Sequence, residues 1–156
     1  MGTGRAGTVW LAVHIGLEEY RAIKRISKRD ADYDTFRREA LVLKELRHPG
    51  IPMIYDLEED SEFFYLIEEY LEGYSLYALI ANQGPIQEAE AVRYGMQVCG
   101  LVAYMHSACE LPILHLDLQP NNLIICNGTV KLIDFDHAAG CRWANIAPKR
   151  FGTVGC

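Results

Sequence analysis

Leu114-His115-Leu116-Asp117-Leu118-Gln119-Pro120-Asn121-Asn122, running on into Leu123-Ile124-Ile125-Cys126-Asn127-Gly128-Thr129-Val130-Lys131-Leu132-Ile133-Asp134-Phe135-Asp136, is the stretch that decides the reading of this chain. Two short apolar, β-branched runs flank Asn127-Gly128, a dipeptide suited to a two-residue hairpin turn. Counting outward from that turn pairs Cys126 with Thr129 and Leu123 with Leu132. Asn122 then lies beside Ile133 and Asp134, so an amide oxygen and a carboxylate converge at one rim. Hard oxygens set close together suit a magnesium ion, which keeps several waters and takes one or two protein carboxylates. Asp117, five residues before Asn122, sits in a loop that Pro120 keeps from becoming a helix, and this puts a second acid near the same rim. The hairpin alone reads more readily as an ordinary one with polar ends. It is the spacing of the polar residues that points to a site.

A chain of 156 residues with 50% hydrophobic content fits one domain with a real core. A net charge of −6 offers no basic stripe for a phosphate backbone, so a nucleic-acid partner is not expected. The five cysteines are odd in number, widely spaced and free of a Cys-x-x-Cys, which implies neither a disulfide framework nor a zinc knuckle. A reducing, cytoplasmic setting is the simpler expectation. No apolar run approaches the length of about 20 residues that spans a bilayer, and no signal-peptide core precedes the first strand.

Taken in order, the chain opens with Gly2-Thr3-Gly4-Arg5-Ala6-Gly7-Thr8-Val9 and an alternating run from Trp10 to Ile15. Glycines so spaced let backbone N–H groups approach phosphate oxygens where a Cβ would collide. A strand-like run follows them rather than a helix, which disfavours a dinucleotide-binding turn. After a turn near Gly16, residues 20–26 return as a strand with Ala22, Lys24 and Ile26 on one face. Lys24 there either snorkels to water or has a partner. Residues 32–46 carry a helical period through Phe36, Ala40 and Leu43, with Asp34 as N-cap. Glu39 lies along that apolar stripe, either paired with a cation or reaching solvent at its edge. Residues 51–57 and 63–69 read as strands, and 75–82 as a short helix. Residues 86–106 form a helix apolar nearly all round, expected to be buried centrally. Residues 137–151 read as a long loop.

His115-Leu116-Asp117-Leu118 with Asn122, followed by Asp134-Phe135-Asp136, resembles the catalytic loop and metal-binding motif of the protein kinase family, serine/threonine type. The resemblance implies an α+β, bilobal kinase-like fold: an antiparallel-sheet N-lobe with one main helix, then the beginning of a helical C-lobe. It divides 1–156 into a partial kinase domain with N-lobe 1–68, hinge 69–73 and incomplete C-lobe 74–156. It implies ATP and Mg2+ as cofactors and a protein substrate, with Asp117 as catalytic base and Asn122 and Asp134 as metal ligands. Lys24 would pair the α/β phosphates and itself pair with Glu39. Gly2, Gly4 and Gly7 would cover the phosphates, and Val9, Ala22 and Ile124 would wall the adenine. Glu69 and Leu71 would contact it through their backbones, and Glu68 would stand at the back of the pocket. Gly152-Thr153-Val154-Gly155 resembles the end of an activation segment.

Three residues depart from the family pattern. Leu116 replaces the Arg that meets a phosphorylated activation loop. Gln119 replaces a cation near the transferring phosphoryl. Asp136 replaces Gly and adds a carboxylate beside Asp134. They keep two other functions open: a non-catalytic nucleotide-binding pseudokinase, and a small-molecule phosphotransferase of the aminoglycoside or choline kinase type, which Ile133-Asp134-Phe135-Asp136 also resembles. With a partial C-lobe, the apolar helix of 86–106 is expected to drive self-association.

Overall fold

Alternation of apolar and polar residues organises the first half of the chain. In the computed structural model, which describes residues 3–4, 7–30, 33–109 and 112–140, that half forms a five-stranded sheet. The strands are β1 (Thr3–Gly4), β2 (Gly7–His14), β3 (Glu19–Ser27), β4 (Ile54–Glu59) and β5 (Phe63–Glu69), antiparallel in the order β1-β2-β3-β5-β4. Helix α1 (Tyr33–Glu45) crosses one face, where Phe36 and Ala40 bury against Ile26, Phe64 and Leu66. Phe36 stacks on Phe64 with ring centroids 4.9 Å apart. Asp34 lies inside the first turn of α1 rather than capping it. Its charge still favours the positive end of the helix dipole.

The second half begins with β6 (Tyr74–Ser75) and α2 (Leu76–Gln83), capped by the Ser75 hydroxyl, which accepts from the Ala78 N–H at 3.1 Å. Next come α3 (Glu88–Ser107), β7 (Ile113–Leu114), a one-turn 3-10 helix at Pro120–Asn122, β8 (Leu123–Cys126), β9 (Thr129–Leu132) and β10 (Ala139–Gly140). The β8–β9 hairpin has the register read from the sequence, Leu123 opposite Leu132 and Cys126 opposite Thr129. Asn127 and Gly128 take φ of 50° and 81°, the two positive values a type I′ turn requires. At Gly73, where the chain passes between the two halves, a Cβ would stand 2.3 Å from the Ile125 carbonyl oxygen, so only glycine allows this approach.

The main core gathers Leu43 of α1 and Leu46 just after it, Leu101 and Met105 from α3, and Leu123, Ile125, Val130, Leu132 and Phe135 from the hairpin and beyond. The structure corrects several expectations. Pro120 opens a helical turn instead of preventing one, because its missing N–H is not needed at that position. The strand expected from residue 51 starts at Ile54, since Ile51 is still in a turn, its N–H donating to the His48 carbonyl at 2.9 Å. Part of the expected loop after Asp136 pairs as β10 with β7. Most important, α3 is buried on one side only. It packs on β7 and β9, while Val92 and Met96 remain 56% and 71% exposed. Apolar residues all round a helix make burial favourable on every side, but burial needs a neighbour, and among the described residues none covers that face. No helix among the described residues is long and apolar enough to cross a membrane.

Candidate active site

Strand register sets which side chains share the cleft. Val9, Lys24 and Leu66 are mutual partners across β2, β3 and β5, as are Leu11, Ala22 and Glu68, and partners in register point to the same face. That face carries α1 at one end and is open at the other, where Val9 is 45% exposed and Ala22 half-buried. Gly4 of β1 pairs with Gly7 of β2, and Gly7 takes φ 97°, which a side chain would strain. Gly2 and residues 152–155 lie outside the described residues.

Lys24 is the hub. Its Nζ donates to Glu39 Oε1 and Oε2 at 3.1 and 3.0 Å, to Asp134 Oδ1 at 3.2 Å and to Asp136 Oδ1 at 2.5 Å. The sequence reading paired Lys24 with Glu39 alone; the structure adds two acids from the segment after β9. Burial works against the Lys24 charge, yet Glu39, then Asp136 and Asp134, hold its pKa well above the usual lysine range. Burial raises Glu39 well above an ordinary carboxylate, Lys24 opposes this, and a hydrogen bond with Asp136 adds to it. Asp134 is likewise raised, mainly by burial. Asp136 is also penalised by burial, but its hydrogen bonds with Glu39 and Lys24 and the lysine's charge carry it below its ordinary value. Glu68, facing the same cleft, is pushed up to about 7, chiefly by burial.

Below this cluster the loop from His115 to Asn122 is cross-braced. His115 is buried with Nε2 3.1 Å from the Ile133 carbonyl, while its Nδ1 accepts from the Asp117 N–H at 3.3 Å. Those two contacts require a neutral ring with its proton on Nε2, in keeping with a pKa that burial lowers. Phe135 meets the ring edge-on at 4.8 Å. The Asn122 amide donates to the Asp117 carbonyl and to Asp117 Oδ2, both at 2.9 Å, and the Ile133 N–H closes on the Asn122 carbonyl at 2.9 Å. Leu116 and Asp134 adopt φ of 64° and 65°. Such left-handed conformations in residues other than glycine are costly and cluster at functional sites. Gln119 is not merely a lost cation, for its Nε2 donates to Asp117 Oδ2 at 2.8 Å.

At the end of β5, Lys131 of β9 reaches across, its Nζ meeting Glu69 Oε1 at 2.7 Å. Ile124 is Lys131's partner in register, so its face of the hairpin turns toward Glu69. The Glu69 N–H is already given to the Met53 carbonyl at 2.8 Å, so any ligand role falls to its carbonyl. Leu71 follows, half-buried.

The protein kinase domain model matches residues 1–155. The chain belongs to the protein kinase family. Among relatives of this kinase chain, serine/threonine-protein kinase PrkC of Bacillus subtilis is 36% identical over 86% of the chain and 21% of that protein. Aurora kinase of Eremothecium gossypii is 34% identical over 96% of the chain and 40% of that protein. Putative sperm motility kinase W of Mus musculus is 32% identical over 100% and 31% respectively. A solved structure of Rad53 1-466 in complex with AMP-PNP superimposes with a TM-score of 0.80 at 32% identity, covering 87% of this chain and 37% of that one. The kinase chain thus spans between about a fifth and two fifths of these relatives. Its bilobal arrangement is that of the family.

Besides Asp134 on Lys24, sequence reasoning missed two contacts within the kinase cleft: Asp136 on Lys24, and Gln119 on Asp117. Both residues depart from the family pattern, so the signal was present. Their partners are set by packing that no local pattern encodes.

Proposed function

We propose that this kinase domain transfers the γ-phosphoryl group of Mg-ATP to serine or threonine hydroxyls of proteins. The observation that carries the reading is the Lys24 cluster, in which one ammonium joins Glu39 of α1 to Asp134 beyond β9 and so ties the two halves together at the cleft. The donor set fits the cofactor. Oxygens of Glu39, Asp134 and Asp136 lie within 4.8 Å of one another, hard ligands whose three charges exceed that of Lys24 by two. Lys24 would meet phosphate oxygens, with Gly4 and Gly7 above them; Gly2 joins the same reading. Asn122 and Asp134 would hold the metal. Glu69 and Leu71 would take the adenine edge through their backbones, and Val9, Ala22 and Ile124 its faces. When bound, Mg-ATP supplies the electrophilic phosphoryl group and its charge neutralisation. Asp117, oriented by Asn122 and Gln119, accepts the proton of the substrate hydroxyl. On this reading residues 1–68, 69–73 and 74–156 are small lobe, hinge and large-lobe portion, and the cytoplasm supplies the nucleotide.

Support comes from the serine/threonine kinases among the relatives and from the nucleotide analogue in the Rad53 complex. Millimolar Mg-ATP is expected to raise the melting temperature of the chain, and Asp134→Asn to abolish the shift. A melting temperature that ignores Mg-ATP would sink the proposal. The presence of Asp136 in the lysine's coordination favours a second reading, nucleotide binding without transfer. Failure to move labelled phosphate onto any protein substrate, despite a clear thermal shift, would decide for it. The exposed Val92 and Met96 also lead us to propose self-association, to be seen as a sedimentation coefficient that rises with concentration and falls back in Met96→Glu.

A further inference from the structure

We propose that Asp136 is a positioning residue that tethers Lys24, so that any phosphate-bearing ligand must displace it before the lysine can bind phosphate. The inference rests on reading the cleft as a nucleotide site. An ammonium has three protons to give. Around Lys24 Nζ stand four carboxylate oxygens, and the shortest contact, 2.5 Å, is to Asp136 Oδ1. The donor capacity of Lys24 is therefore fully used, and a phosphate oxygen can enter only in place of an acceptor already there.

The three acids are not equally replaceable. The Glu39 side chain is 4% exposed and belongs to α1, so withdrawing it would leave a buried charge unpaired. Asp134, 32% exposed, makes the longest of the contacts and contributes little to the tether. Asp136, 23% exposed and closest, is the competitor that sets the cost. Its backbone φ is not positive, so the conformation at 136 does not need glycine. Replacing Asp136 therefore changes the tether without releasing strain. A ligand that lacks phosphates does not contest Lys24 at all. The tether thus selects against phosphates while leaving the base-binding part of the cleft untouched, which distinguishes it from a general loss of affinity.

The test measures binding of ADP and of adenosine to the full chain by calorimetry, without divalent metal so that no metal ligand enters. In Asp136→Asn, ADP is expected to bind about tenfold tighter while adenosine changes by less than about twofold. In a Lys24→Met background the same substitution should leave the ratio of ADP to adenosine affinity unchanged, because the tether acts through the lysine. Asp136→Gly provides a second variant with the same expectation, and adenosine binding reports that each variant is folded. Adenosine binding with an unaltered ADP-to-adenosine ratio overturns this inference alone. An equal gain in the Lys24→Met background also overturns it, since simple charge repulsion would then explain the effect. Absence of binding of either ligand to every variant overturns the nucleotide reading and the tether together.

Discussion

Lys24→Met is expected to lower folding stability by on the order of 3–5 kcal/mol at pH 8, since it removes one partner from a buried ionic cluster. The lysine side chain is 6% exposed and Glu39 4%, so water does little to screen what remains. With the ammonium gone, Glu39, Asp134 and Asp136 face one another, and protonation is their relief. Burial already raises Glu39 and Asp134, and losing the cation that opposes this raises them further. A carboxyl whose folded pKa lies above its unfolded value stabilises the fold while protonated and loses that contribution as pH rises. The deficit of Lys24→Met should therefore be smallest near pH 5 and grow toward pH 8. Urea denaturation at the two pH values checks this. A deficit that stays the same across the range would mean that the lysine acts through packing, not charge.

Glu68→Gln should have the opposite sign. Glu68 is pushed up to about 7 from an ordinary value of 4.5, first by burial and then by Asp134 and Asp136, with Lys24 opposing. The folded chain keeps this proton up to about pH 7 while the unfolded chain releases it near 4.5, so the wild type loses stability across that window. The loss amounts to on the order of 2–3 kcal/mol. Glutamine keeps the shape without the titration. Glu68→Gln should match the wild type near pH 5 and exceed it by that amount at pH 8. Thermal melts of both proteins over this range provide the measurement, and parallel stability curves would refute the assignment. The expectation also accounts for a carboxyl facing the cleft: near neutral pH it is about half protonated, so its burial costs less than that of a fixed charge.

Much of the frame was legible from residues alone because it depends on neighbours along the chain. Asn127-Gly128 specifies its turn through two positive φ values, and the turn then dictates that Leu123 meets Leu132 and that Asn122 lies beside Ile133. Phe36, Ala40 and Leu43 recur at helical spacing and do bury one face of α1. Lys24 and Glu39, 15 residues apart, each stood on an apolar face with a counter-charge or water as its alternatives, and it was the resemblance to the family that implied their pairing. Pro120 misled, since the rule that proline breaks helices does not hold at a first helical position. Helix α3 misled as well, since hydrophobicity reports what a surface favours and not whether anything is there to cover it.

What the sequence determined by itself, then, was the hairpin, the alternating strands, the amphipathic helix and, through its ordered motifs, the family. What tertiary structure decided was how Lys24 is shared. Asp136 is 112 residues away from it, and a change from glycine to aspartate predicts an added charge but not its target. Gln119 likewise reads as a missing cation until the loop folds it onto Asp117. Turn and helix preferences act over a few residues and are written locally. An ion pair across the cleft depends on the packing of both halves, which sets to within an ångström which carboxylate the lysine meets.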